Sequence, residues 1–289
     1  MRRPYDGVMG VTTTREHPES LAAVLDERLM RGLMLAPAGA NVVWQLARRS
    51  VGRGVAESRV TSGSLTRHPL KRTRTTLAYI WVALYGTEDE RLEMRRHVDA
   101  QHRHVRSRPG DDVAYDAVDP DAQLWVAACM YVGCVQGYET LYGRPDEDVA
   151  LELLHRCGRF ATTLQVPAHR WPSDLAAFAR YWTAARDEVC FDEVTEAYLR
   201  DFVELRFVPR VLRAVVVPLH RLLVGGFLDA DLRSTLGLDW DARRARRFAR
   251  VVRALAVLNR LAPRPVAALP WTWVAFDTRR RLARRRNVV

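Results

Sequence analysis

Two groups of side chains between His68 and Tyr115, in HPLKRTRTTLAYIWVALYGTEDERLEMRRHVDAQHRHVRSRPGDDVAY, could do chemistry. The first is a run of cationic and hydroxyl groups, Lys71, Arg72, Thr73, Arg74, Thr75 and Thr76, set just before an apolar segment. The second is a set of three imidazoles, His97, His102 and His104. Neutral imidazoles bind metals and exchange protons near neutral pH. Guanidinium, ammonium and hydroxyl groups donate hydrogen bonds to anions and to developing negative charge. Metal ligands on one helix face need spacings of three, four or seven. His97 and His104 meet the last spacing, but no carboxylate is expected on their flank, so a two-histidine metal site is weak. His102 and His104 are too close in sequence to share a metal from a helix. The chain contains no Glu-x-x-His repeat of a di-iron bundle, no H-E-x-x-H, no P-loop, no G-x-S-x-G and no dinucleotide fingerprint. A single histidine at the edge of a buried helix face fits haem, whose iron takes one protein imidazole while the porphyrin supplies four nitrogens. The same histidine also fits a purely structural role.

Two helices must position these groups. Pro69 suits a first helical position, where its missing N–H costs nothing. Arg72, Thr76, Tyr79 and Ala83 recur at spacings of three and four, which predicts that they share a face. Gly86 is expected to end the helix in a left-handed cap. Thr87 and Glu90 form a T-x-x-E capping box for the next helix. There Met94, Val98, Gln101, His102 and Val105 fall on one side, with His102 at the edge of the apolar face and His97 and His104 on a more solvated flank. The plainer reading of the Lys71–Thr76 cluster is a solvated helix start with hydroxyl caps.

The remaining elements read as helices throughout. They are expected from Ser20 to Leu35 and from Ala38 to Ser50, followed by a Gly- and Ser-rich loop, VGRGVAESRVTSG. Asp119-Pro120 opens a long helix, DAQLWVAACMYVGCVQGYETLYG, apolar nearly all round and therefore buried. Gln136 and Glu139 within it are expected to be buried and hydrogen-bonded. Later helices follow over Glu147–Leu164, from Ser173 or Asp174 through the WPSDLAAFARYWTAARDEV segment, and over Phe191–Phe202, Pro209–Gly225, Asp229–Leu236 and Asp239–Leu261. With no alternating strands and no internal repeat, the expectation is one compact all-α domain over residues 21–265. A flexible lead would precede it over residues 1–20, and a basic tail would follow over residues 266–289. The four cysteines show no zinc spacing and read as reduced core residues.

The net charge of +11 rests on 45 basic residues, all arginine except Lys71. The arginines are scattered and come with no nucleic-acid-binding motif, so the reading is a solvated basic surface, with peripheral contact to anionic lipid open and nucleic acid disfavoured. The basic start lacks the apolar core of a signal peptide, and no window is apolar enough to span a bilayer, which predicts a cytoplasmic protein.

Five stretches in order carry a family resemblance. They are PAGANVVWQLARRSVGRGVAESRV, HPLKRTRTTLAYIWVALYGT, VDAQHRHVRS, AYDAVDPDAQLWV and VPAHRWPSDLAAFARYW. Together the chain, over roughly residues 30 to 265, resembles the catalytic domain of bacterial rubber oxygenases (latex-clearing proteins) and fungal MpaB-type oxygenases. The resemblance implies a globin-related all-α fold with haem b, and O₂ as co-substrate in oxidation of a hydrophobic isoprenoid or lipid-like molecule, including cleavage of a carbon–carbon double bond. It maps the proximal ligand onto His102, within H-x-x-V, and the family's arginine and threonine onto Arg72 and Thr76, with Gly86 ten residues on. Where rubber oxygenases carry a distal lysine this chain has Thr75, while Lys71 lies one turn away and could supply the amine. The implied catalytic set is Arg72, Thr76 and Lys71; the cofactor contacts are His102, Arg72 and Thr75. A protein that keeps the fold for binding, without haem or catalysis, is the alternative.

Overall fold

The computed structural model describes residues 18–58, 60, 65–284 and 288. Most of the expected flexible lead therefore lies outside the described residues. What is described is all-α: apart from one isolated antiparallel bridge between Arg106 and Asp116, no β-structure occurs among the described residues.

The chain opens with α1 (Pro18–Leu29), a 3₁₀ turn (Gly32–Leu35), α2 (Ala38–Leu46) and α3 (Arg49–Ala56). α3 runs through the segment expected to be a loop. Its glycines are packing devices rather than breakers, because at Gly52 a Cβ would come within 2.6 Å of the Leu46 carbonyl and 2.5 Å of Thr195 Cγ2. α4 (Pro69–Tyr85) and α5 (Glu88–His102) follow, and the Thr87–Glu90 capping box is present, with reciprocal bonds of 3.2 and 2.9 Å. Gly86 ends α4 in extended backbone (φ −68°, ψ 154°), not in the left-handed cap the sequence suggests. Its small size matters instead, since a Cβ there would lie 2.5 Å from the Val82 carbonyl.

α6 (Pro120–Tyr142), capped by Asp119, is the buried axis. α2 and the 3₁₀ turn pack on it, as do α7 (Glu147–Cys157), α8 (Arg159–Thr162) and α13 (Ala242–Leu261). An all-round apolar helix has no face to give to water, so every neighbour finds a seat on it. Gly137 lets the chain at Met34 approach, where a Cβ would meet its carbonyl at 2.6 Å. Trp125 of α6 is fully buried and stacks on Trp182 of α9 (Leu175–Asp187), with ring centres 5.4 Å apart. Gln136 donates to the Phe227 carbonyl at 3.0 Å, as a buried amide should. Glu139 departs from expectation and is exposed, on the one strip of α6 that reaches solvent.

The chain closes with α10 (Glu193–Val203), α11 (Arg210–Phe227), α12 (Ala230–Thr235), α14 (Arg264–Ala267) and α15 (Leu269–Ala283) around α13. Instead of trailing as a basic tail, residues 269–283 form a helix docked on α4, where Trp271 and Val274 are buried with Ala78, Trp81 and Val82. No helix among the described residues is long and apolar enough to cross a membrane. Cys129 and Cys157 are buried, Cys134 is half-buried and Cys190 exposed, and all four are free thiols.

Candidate functional site

The start of α4, the end of α5 and α10 converge on one spot. Arg72 sits one turn into α4, and its charge is felt by both His102 of α5 and Tyr198 of α10. Two links fix this corner. α3 packs on α10 through the Gly52–Thr195 contact, and Arg53, itself buried, makes ion pairs with Asp192 (2.9 Å), Glu57 (2.5 Å) and Asp112 (3.4 Å).

His102 is the last residue of α5 and is half-buried. Burial, and secondarily the Arg72 guanidinium, lower its pKa to about 4, against the weaker opposing pull of Asp99, the Ala117 carbonyl and Asp116. A helix C-terminus ordinarily favours the imidazolium by about 0.3–1 kcal/mol, less than one pKa unit, so burial dominates. The ring is therefore neutral at pH 7. Its buried Nδ1 has no well-formed hydrogen bond, but the Ala117 carbonyl lies near enough to the ring to raise its pKa; that oxygen accepts from Gln123 Nε2 at 2.9 Å and keeps a second lone pair for the imidazole.

That carbonyl is delivered by the loop after α5. Ser107 N–H bonds to the Tyr115 carbonyl (2.8 Å) and Ala117 N–H to the Val105 carbonyl (3.0 Å), folding the loop back over the end of the helix. Gln123 then bridges to Gln165, whose side chain in turn donates to Asp99, one turn before His102. These three polar residues hold the surroundings of the ring. Sequence reasoning missed all three: the spacing of three from Asp99 to His102 was the available signal, while Gln123 and Gln165 are brought there only by the fold.

Arg72 is half-buried, and the protein around it lowers its pKa by desolvation. It has no ion pair among the described residues, whereas Arg48, Arg53, Arg74 and Arg156 each have a carboxylate and the half-buried Arg28, Arg91, Arg213 and Arg233 donate to a hydroxyl or a carbonyl. Leaving a cation desolvated without a counter-charge is costly. Arg72 is thus a cation suited to an external anion. Half-buried Tyr198 of α10, which no spacing rule singles out, lies within electrostatic range of it.

The other residues of the cluster point differently. Thr75 is buried and its hydroxyl donates to the Arg72 carbonyl at 3.0 Å, so it serves the helix. Thr76, expected on the inner face with Tyr79 and Ala83, is exposed, as is Lys71. A helix advances 100° per residue, so with Thr75 turned inward Thr76 lies on the flank. His104 is exposed, and His97 pairs with Glu93 at 3.4 Å, a carboxylate on the flank where none was expected.

No group of three or more His, Cys, Asp or Glu side chains could hold a metal among the described residues. A metal here would need to bring most of its own ligands and take one from the protein. A neutral, half-buried imidazole and a nearby unpaired guanidinium fit haem in that respect, the imidazole for iron and the guanidinium for an anionic group. A 340 Å³ cleft lined by Arg200, Arg213 and Arg221, and a 730 Å³ groove along α13, include neither residue.

Residues 27–257 match the family described as ER-bound oxygenase mpaB/B'/Rubber oxygenase, catalytic domain. An uncharacterized protein of Mycobacterium tuberculosis and one of Mycobacterium bovis are each 41% identical over 257 residues, spanning 89% of this chain and 100% of their own length. No solved structure matches.

Proposed function

Because this chain belongs to the mpaB/rubber-oxygenase catalytic-domain family, we propose that it is a haem-dependent oxygenase acting on a hydrophobic small molecule. The observation that carries the reading is a neutral His102 within electrostatic range of an Arg72 that has no carboxylate partner among the described residues.

In this reading His102 holds the iron through one ring nitrogen. Its depressed pKa keeps the lone pair free of protons across the physiological range, so ligation does not compete with protonation. Haem b, when bound, supplies the redox chemistry with O₂ as co-substrate. Arg72 offers guanidinium hydrogen bonds to an anionic group of the cofactor or to negative charge that develops during reaction. Tyr198 flanks the guanidinium. Gln123, Gln165 and Asp99 hold the loop and helix end that carry the imidazole. Thr75 braces the turn that presents Arg72. Lys71 and Thr76 are both exposed on α4, so in this reading each acts from the solvent side of the helix. An isoprenoid or lipid-like substrate, with oxidative cleavage of a carbon–carbon double bond, is the reaction the family suggests.

One observation favours a second reading, a binding protein that keeps the fold without haem. At position 75, where rubber oxygenases carry a lysine, the threonine hydroxyl is spent on its own helix. The absorption spectrum of protein produced with ample haem separates the two. A Soret band that His102→Ala abolishes and His104→Ala leaves intact is the expected result. A colourless wild-type protein, or a band indifferent to His102→Ala, overturns the haem reading.

A further inference from the structure

α15 is apolar on two faces, and the fold uses only one. Trp271, Val274 and Thr278 are buried, the first two in the cluster shared with α4. On another face Leu269, Trp273 and Phe276, at spacings of four and three, are 64, 55 and 65% exposed, and Arg280 continues the row. α13 carries a matching row. Residues 243, 247, 250, 254, 257 and 261 follow one another at spacings of four and three, so they lie along one side of the helix. The row reads Arg, Arg, Arg, Ala, Val, Leu, and every member is exposed. From residue 242 to residue 276 the chain holds eight arginines and no acidic residue. The acids flanking this region are already taken: Asp241 caps α13 beside Arg243 and Arg244, Asp239 pairs with Arg244, Asp277 with Arg74 and Arg281, and Glu27 with Arg264.

We propose that this face docks the protein onto the surface of an anionic lipid bilayer, with Trp273 and Phe276 entering the headgroup layer and the α13 arginines meeting lipid phosphates. A large indole beside exposed leucines, next to arginines, is the composition of an interfacial anchor, apolar groups for the acyl boundary and cations for the headgroups. Charge decides against the obvious competitor. A contact between two copies centred on the α13 arginines would set like charges against each other, and one centred on the apolar end would leave those arginines without a partner. Nucleic acid would use the arginines but give the exposed Leu261, Leu269 and Phe276 nothing to bury against. The inference is independent of haem, so it stands or falls separately from the Soret measurement.

The test is co-sedimentation of the full chain with vesicles of phosphatidylcholine alone or of phosphatidylcholine with phosphatidylglycerol. The expected result is sedimentation with the phosphatidylglycerol vesicles and not with phosphatidylcholine alone. Arg243→Gln/Arg247→Gln/Arg250→Gln lowers the partition on the order of 100-fold, at about one kilocalorie per basic side chain. Trp273→Ala/Phe276→Ala lowers it as well, while its thermal unfolding matches that of the wild type because both side chains are exposed. Wild-type protein left in the supernatant, or both variants binding like the wild type, overturns the proposal. So does a concentration-dependent dimer that Trp273→Ala dissolves, or duplex-DNA retention that depends on the three arginines with no vesicle binding.

Discussion

The free base of His102 is the form the folded protein selects, and that choice has a cost in acid. The ring ionises at about 4 in the fold against 6.5 in a free chain, so the unfolded state binds the proton more readily. Its contribution to stability is complete above pH 6.5 and is lost as the pH falls towards 4, by at most about 3 kcal/mol. Denaturant unfolding of the wild type and of His102→Gln between pH 7 and pH 4 reads this directly. The wild type is expected to lose more stability than the variant over that window; parallel curves would show that the imidazole is not the group responsible. At this scale the sequence was informative where spacing along one helix sufficed. It placed His102 at the edge of the apolar face. It erred on Thr76, because the register of α4 is fixed by Ala78, Trp81 and Val82 packing with Trp271 and Val274 of α15, far on in the chain.

α3 shows the same dependence on distant partners among the elements. The Gly- and Ser-rich segment reads as a loop by propensity, yet its first residues, 51–56, are helical, because Gly52 lets Thr195 and the Leu46 carbonyl close in while Arg53 pairs with Asp192 across the contact. Tertiary packing outweighs a propensity deficit of about 1 kcal/mol per glycine. Gly52→Ala should therefore destabilise despite improving helix propensity. The added methyl meets backbone at Leu46 that cannot move away, which costs about 1–3 kcal/mol in denaturant unfolding. A neutral or stabilising result would mean that α3 and α10 are not packed as described. By contrast, the capping box of α5 and the Asp-Pro start of α6 were legible from a few residues, because each satisfies its own backbone donors locally.

At the scale of the whole molecule, the family match ends at residue 257 while the buried core does not. α15 covers α4, the helix that presents Arg72, and Trp271 at its start is 4% exposed. Trp271→Ala should cost about 3–5 kcal/mol, whereas Trp273→Ala, two residues on and facing outward, should change stability by no more than about 0.5 kcal/mol. Thermal unfolding of the two variants tests whether the terminal helix is part of the cooperative unit. The composition that made the surface so basic also left the chain with a single ε-amine, on exposed Lys71, one residue ahead of Arg72. An amine-reactive fluorophore would therefore find one side-chain target, beside Arg72, and once the more acidic terminal α-amine is blocked at lower pH that lone lysine becomes a built-in reporter for whatever enters there.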